Sequence, residues 1–131
     1  MKSILTIILF LIVLTGCKRH TKFELILTDT SENRYWVRKE MDSLGKYQDL
    51  FDRFQFNLNR SCNVYHSTLS DQKGSRLYLT DGEYNNTWNY NEKDSVLIVG
   101  GLVYKIVNYS KDSILMEGHG YKGKFAFIKS K

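Results

Sequence analysis

The chain has no proline, a single alanine (Ala126) and two cysteines (Cys17 and Cys62). Tyrosine, by contrast, occurs nine times. A chain poor in alanine and rich in tyrosine favours strands over helices, because aromatic and β-branched side chains fit a pleated, half-buried surface. Its 131 residues exclude a two-domain enzyme, a (β/α)₈ barrel and a dinucleotide fold with a substrate domain. Long apolar runs are also missing. The longest, Ile4–Leu14, holds eleven residues broken only by Thr6, too few for a helix to span a hydrocarbon core about 30 Å thick. Catalytic signatures are absent as well. There is no Gly-x-Ser-x-Gly elbow and no glycine-rich phosphate loop. His20, His66 and His119 are not spaced as metal ligands with another His, Cys or carboxylate, and Asp81-Gly82-Glu83 reads as a turn. The sequence thus predicts a protein that is not an enzyme and uses no metal or cofactor.

The N-terminus is the most specific segment. Lys2 gives a short positive region, Ile4–Leu14 has the length of a secretory signal's apolar core, and Leu14-Thr15-Gly16-Cys17 follows. The order of apolar run, leucine, two small residues and cysteine resembles the bacterial lipobox. That resemblance implies removal of residues 1–16 and a diacylglycerol thioether on Cys17, whereas an uncleaved apolar segment with an ordinary thiol at Cys17 is the plainer alternative. Removing 16 residues leaves 115, enough for one small domain. Residues 17–22 read as the lipidated cysteine and a polar tether, and 23–131 as the folded domain. Neither an aspartate nor an acidic run follows Cys17. The expected location is therefore the outer membrane, facing the periplasm. With Cys17 used for lipid, Cys62 has no disulfide partner, and its phase with Val64 predicts a buried, inert thiol.

The body alternates with period two. Phe54, Phe56 and Leu58 alternate with Arg53, Gln55 and Asn57. The same period recurs in Cys62/Val64, Leu77/Leu79, Trp88/Tyr90, Leu102/Tyr104/Ile106, Ile114/Met116 and Phe125/Phe127. Val96–Val99 is a short continuous apolar strand, and Gly100-Gly101 supplies a hairpin turn. Tyr35-Trp36-Val37 heads a first strand, and Phe23–Thr28 adds a possible edge strand. Leu44, Tyr47, Leu50 and Phe51 instead show helical spacing and predict a turn or two of helix. Turns fall about every ten residues without βαβ alternation, which predicts an all-β antiparallel meander of about eight strands closing into a small barrel. Such an interior is either just filled by side chains or holds one small ligand.

The succession Trp36, Phe54-x-Phe56, Val64-Tyr65, Trp88-x-Tyr90, Leu97-x-Val99, Tyr104-x-Ile106 and Ile114-x-Met116 resembles the lipocalin-like domains of small bacterial lipoproteins. The likeness spans about residues 34–129 and is closest over Trp88–Met116. Two features depart from it: Arg34-Tyr35 replaces the Gly-x-Trp approach to Trp36, and the disulfide pair is missing. Classical lipocalin ligand preferences therefore do not carry over.

The candidate ligand-lining residues are the inward aromatics Trp36, Phe54, Phe56, Trp88, Tyr90, Tyr104, Phe125 and Phe127, which either fill the core or line a pocket. Two functions follow. One is a carrier or sensor for a small apolar or amphipathic molecule. The other is a filled-barrel interaction module, an envelope accessory subunit or hydrolase inhibitor, working through its loops. The net charge of +5 suggests nucleic acid. Yet Phe23–Gly120 carries 11 basic and 14 acidic side chains, so the excess lies at the chain ends and the nucleic-acid reading loses its motive. A basic tether suits an anionic membrane instead. Asp42-Ser43-Leu44, Asp94-Ser95-Val96 and Asp112-Ser113-Ile114 resemble a short O-glycosylation acceptor, though Asp-Ser is also a common turn opening.

Overall fold

The computed structural model describes residues 19–29, 31, 34–66, 75–77 and 86–130. Cys17, Leu79, Asp81 and Glu83 lie outside them. Among the described residues the chain is an all-β antiparallel meander preceded by one short helix. The helix α1 is Lys22–Leu27, and the strands are β1 (Trp36–Met41), β2 (Tyr47–Phe56), β3 (Cys62–His66), β4 (Ser75–Leu77), β5 (Trp88–Asn91), β6 (Val96–Val99), β7 (Leu102–Tyr109), β8 (Ser113–Gly118) and β9 (Lys124–Lys129). They form one sheet in the order β4-β3-β2-β1-β9-β8-β7-β6-β5, one strand more than the eight expected. Among the described strands the first therefore pairs with the last, and β4 and β5 stand at the two edges. The sheet curls so that these edges approach. Ser61 and Thr87 form an isolated antiparallel bridge across the seam, flanked by Cys62 N–H to Asn86 O (2.7 Å) and Trp88 N–H to Arg60 O (2.9 Å).

The turns sort into two ends. Those at 57–61, 92–95 and 110–112 lie at the end that α1 covers, here the helix end. Those at 42–46, 100–101 and 118–123 lie at the opposite end, the mouth. In the 100–101 turn Gly100 takes φ +57° and closes the β6–β7 hairpin between Val99 and Leu102.

The inward phase of the strands forms one core. Trp36, Phe54, Phe56, Cys62, Val64, Trp88, Leu97, Val99, Tyr104, Ile106, Ile114, Met116, Phe125 and Phe127 are all buried, joined by Phe23 and Leu27 of the helix. Burial of this apolar surface is the main source of stability in a domain with no disulfide among its described residues. As expected, Cys62 is buried, and burial pushes its thiol up to about 12.

Three expectations need correction. Phe23–Thr28 is not an edge strand but lies in α1 and its C-cap. Its apolar residues fit either period, and the capping box decides: the Thr21 hydroxyl accepts from Glu24 N–H while the Glu24 carboxylate accepts from Thr21 N–H. Thr21 and Lys22 consequently belong to the fold rather than to the tether. Leu44–Phe51 is not helical. It is the 42–46 turn followed by β2, and a bulge in β2 displaces the period-two phase so that its apolar residues imitate helical spacing. Strand β2 ends at Phe56, leaving Leu58 in the turn and 47% exposed.

Candidate functional site

The eight aromatic candidates separate into a packed floor and a helix-end pair. Phe127 lies 5.0 Å from Phe54, 5.7 Å from Phe56 and 6.2 Å from Tyr104, measured between ring centroids. Phe56 meets Trp88 across the seam at 6.1 Å, and Tyr104 meets Phe125 at 5.4 Å. These are tilted and edge-on contacts in which one ring covers the next. At the helix end, half-buried Tyr90 packs on Phe23 at 4.3 Å, and Trp36 Nε1–H donates to Leu27 O at 2.9 Å. Lys129, the last residue of β9, is buried there. Its ammonium lies 4.5 Å from the Trp36 ring centroid and donates to Asp29 O. Burial holds its pKa below the ordinary lysine value.

A second ionic contact fastens the helix. Arg60 donates to Glu24 at 2.9 Å and its guanidinium lies 4.4 Å from the Trp88 ring centroid. Trp88 Nε1–H donates to Asn57 O at 2.8 Å. Burial alone would raise the Glu24 pKa, but Arg60 and Thr21 N–H hold it below its ordinary value.

Toward the mouth the inward phase turns polar. On β1, Arg38 follows Trp36 on the inner face, and on β2 Asp52 precedes Phe54. The β1–β2 register runs Val37↔Arg53 and then Lys39↔Asp49, so Leu50, Phe51 and Asp52 together oppose Arg38. Phe51 sits in this bulge at φ +62°, a conformation that costs a bulky side chain on the order of 1–3 kcal/mol. Asp49 secures it by accepting from Phe51 N–H at 2.7 Å and from both Arg53 Nη atoms at 3.0 Å. Bulges of this kind re-aim a side chain. Here the re-aimed residue is Asp52, which accepts from Arg38 Nη2.

Arg38 Nη1 reaches the Tyr104 hydroxyl at 3.3 Å, and its guanidinium lies 5.8 Å from the Phe54 ring centroid. Its Nε is buried without a hydrogen-bond acceptor. Arg38 and Asp52 side chains are 17% and 13% exposed, whereas His66 is half exposed with Nδ1 3.4 Å from Asp52 Oδ1. Tyr121, from the 118–123 turn, covers Tyr104 (6.4 Å) and Phe125 (6.0 Å). Burial and neighbouring Tyr104 push its hydroxyl up to about 12. Gly118 makes that cover possible, since a Cβ there would meet the Tyr121 ring and carbonyl at 2.6 Å. The site is thus a partly buried cation with one carboxylate, two tyrosines and a histidine above an aromatic floor. Such a set suits recognition of a carboxylate or phosphate group.

Sequence reasoning lists the floor and misses the polar ring. The signal was there in Trp36-x-Arg38 and Asp52-x-Phe54, where a charge falls on each strand's apolar phase. Among the described residues no cluster of three His, Cys, Asp or Glu side chains suits a metal ion, and no helix is long and apolar enough to cross a membrane. An open groove of about 470 Å³ lies between Asn91, Asp94, Ile98, Val103, Lys105 and His119. Comparison with known proteins finds no matching family model, curated protein or solved structure.

Proposed function

We propose that the chain is an outer-membrane lipoprotein, anchored through Cys17 and facing the periplasm, whose lipocalin-like domain binds a small amphipathic molecule with an acidic head group. The observation that carries the binding reading is Arg38: a guanidinium inside a barrel-like sheet, beside Tyr104, with its Nε unsatisfied. A buried donor without an acceptor costs on the order of 1–3 kcal/mol. A ligand carboxylate that supplies one recovers this energy. Tyr121 covers the site from above, so the ligand enters as the 118–123 turn lifts. The Leu14-Thr15-Gly16-Cys17 motif supports the anchor, and an anchor of two or more acyl chains is stable where one is reversible.

Titration with laurate and with dodecanol, followed by tryptophan fluorescence, tests the binding reading. Wild type is expected to bind laurate, and Arg38→Gln to bind it about 10- to 100-fold more weakly, the value of one charge-assisted hydrogen bond. Dodecanol is expected to respond little to the substitution. Equal laurate binding by both proteins would overturn the role of Arg38. Labelling with a palmitate analogue is expected in wild type and not in Cys17→Ala, and a labelled variant would overturn the anchor.

The packed floor favours a second reading: a filled-barrel interaction module that acts through its loops on an envelope protein. Absence of any response to either probe, with a clean apo mass by native mass spectrometry, would select it.

A further inference from the structure

We infer that the helix end of the domain lies on the bilayer, with Leu25 and Leu58 in the headgroup–acyl boundary and the mouth turned away from the membrane. The inference rests on the anchor proposed at Cys17. Three observations carry it. First, the tether is short. Three residues separate Cys17 from the N-cap Thr21, so the four steps of chain between them reach at most about 14 Å when extended. The headgroup layer itself is about 5–8 Å deep on each side. The end of the domain that bears α1 is therefore held within about 6–9 Å of the headgroup surface even with the tether fully extended.

Second, two large apolar side chains are exposed at that end. Leu25 is 54% exposed on α1, and Leu58 is 47% exposed at the tip of the 57–61 turn. Each is next but one or nearer in sequence to a member of the Glu24–Arg60 ion pair that ties helix to turn. That pair fixes both leucines to one rigid end. Third, the charge matches. Arg19 and Lys22 are exposed beside the helix. Glu24 and Asp112 are neutralised by Arg60 and Arg34, and the remaining turns set Lys93 and Lys111 against Glu92 and Asp94. The balance at the tether is positive and fits an anionic lipid surface.

Strand β2 then sets the depth scale. Its ten residues span about 33 Å between the 42–46 turn and the 57–61 turn. Leu44, 79% exposed in the first of these, is therefore a reference point far from the membrane.

The test uses the lipidated full-length protein in vesicles of phosphatidylethanolamine and phosphatidylglycerol. An environment-sensitive thiol probe is placed at Leu25→Cys, Leu58→Cys or Leu44→Cys. Cys62 is buried with its thiol pushed up to about 12, and Cys17 is consumed as a thioether, so labelling is selective. Probes at positions 25 and 58 are expected to shift to the blue and to be quenched several-fold more than the probe at 44 by nitroxide lipids labelled near the headgroup. Equal quenching at 44 and 58, or stronger quenching at 44, in protein that floats with the vesicles overturns the orientation while leaving the anchor intact. A blue-shifted probe at 58 that nitroxide lipids do not quench also overturns it, and points to a protein partner. Protein that fails to float overturns the anchor, and the orientation with it.

Discussion

Removing the Phe127 ring should cost the domain a large part of its stability. Phe127 is fully buried and its ring is enclosed by Phe54, Phe56 and Tyr104. Its ring neighbours are each held by another ring, Phe54 by Phe56, Phe56 by Trp88 and Tyr104 by Phe125, while Ile114 and Arg38 stand opposite it on β8 and β1. A cavity left there collapses only partly. Phe→Ala in such a setting costs about 3–5 kcal/mol, the transfer energy of the ring plus the cavity. Against a total of about 5–15 kcal/mol this is roughly a fifth of the stability or more. In a domain of this size the melting temperature should fall by about 15 °C or more. Thermal melts followed by circular dichroism give the shift, and urea titration checks that the midpoint moves without a change in slope. The cavity would be apolar and dry, so benzene should bind in Phe127→Ala and restore part of the loss, and should leave wild type unchanged. A Phe127→Ala protein melting within about 3 °C of wild type would refute the packed floor, because its ring would then border open space.

Two further expectations concern the mouth and the helix. Glycine at position 51 relieves the φ +62° backbone, so Phe51→Gly should be at least as stable as Phe51→Ala, reversing the usual order in a strand; urea midpoints of the two variants decide, and a more stable alanine variant refutes the strain. Glu24 has a folded pKa below its ordinary value, so its contribution is present above the unfolded pKa and lost as pH falls through the folded one. Glu24→Gln should therefore destabilise the domain at pH 7, by about 1.5–3 kcal/mol if both charge-assisted contacts are lost, and flatten the acid limb of its stability profile. An unchanged acid limb would exclude Glu24 as its source.

The fold was readable wherever period two survived. Phe54-x-Phe56, Cys62-x-Val64, Tyr104-x-Ile106 and Ile114-x-Met116 all show their inward faces directly in the sequence, and antiparallel pairing follows from the short turns. The sequence is ambiguous where two periods overlap. Phe23, Leu25 and Leu27 fit a strand face while Phe23, Ile26 and Leu27 fit a helix face, and only the Thr21-x-x-Glu24 box separates the two. In β2 the extra residues of the bulge shift the apolar phase, so Leu44, Tyr47, Leu50 and Phe51 suggest a helix. The same bulge hides the polar ring, because Asp52 comes into line with Arg38 only after the strand has been displaced. No sequence period reports an ion pair formed by an irregularity. The aromatic floor was legible as a set of residues, but whether it fills or lines the interior depends on ring-to-ring distances.

The pairing of β1 with β9 also bears on the order in which the molecule can be made. Strand β9 joins β1, and through it the half containing β1–β4, to the half containing β5–β8. It follows the other eight described strands in the chain. The two halves can form hairpins early, but the sheet has no continuous middle until Lys124–Lys129 arrives. Folding is therefore a late, all-or-none event, and a nascent or clipped chain lacking its final strand is left with exposed edges on both halves and a tendency to aggregate.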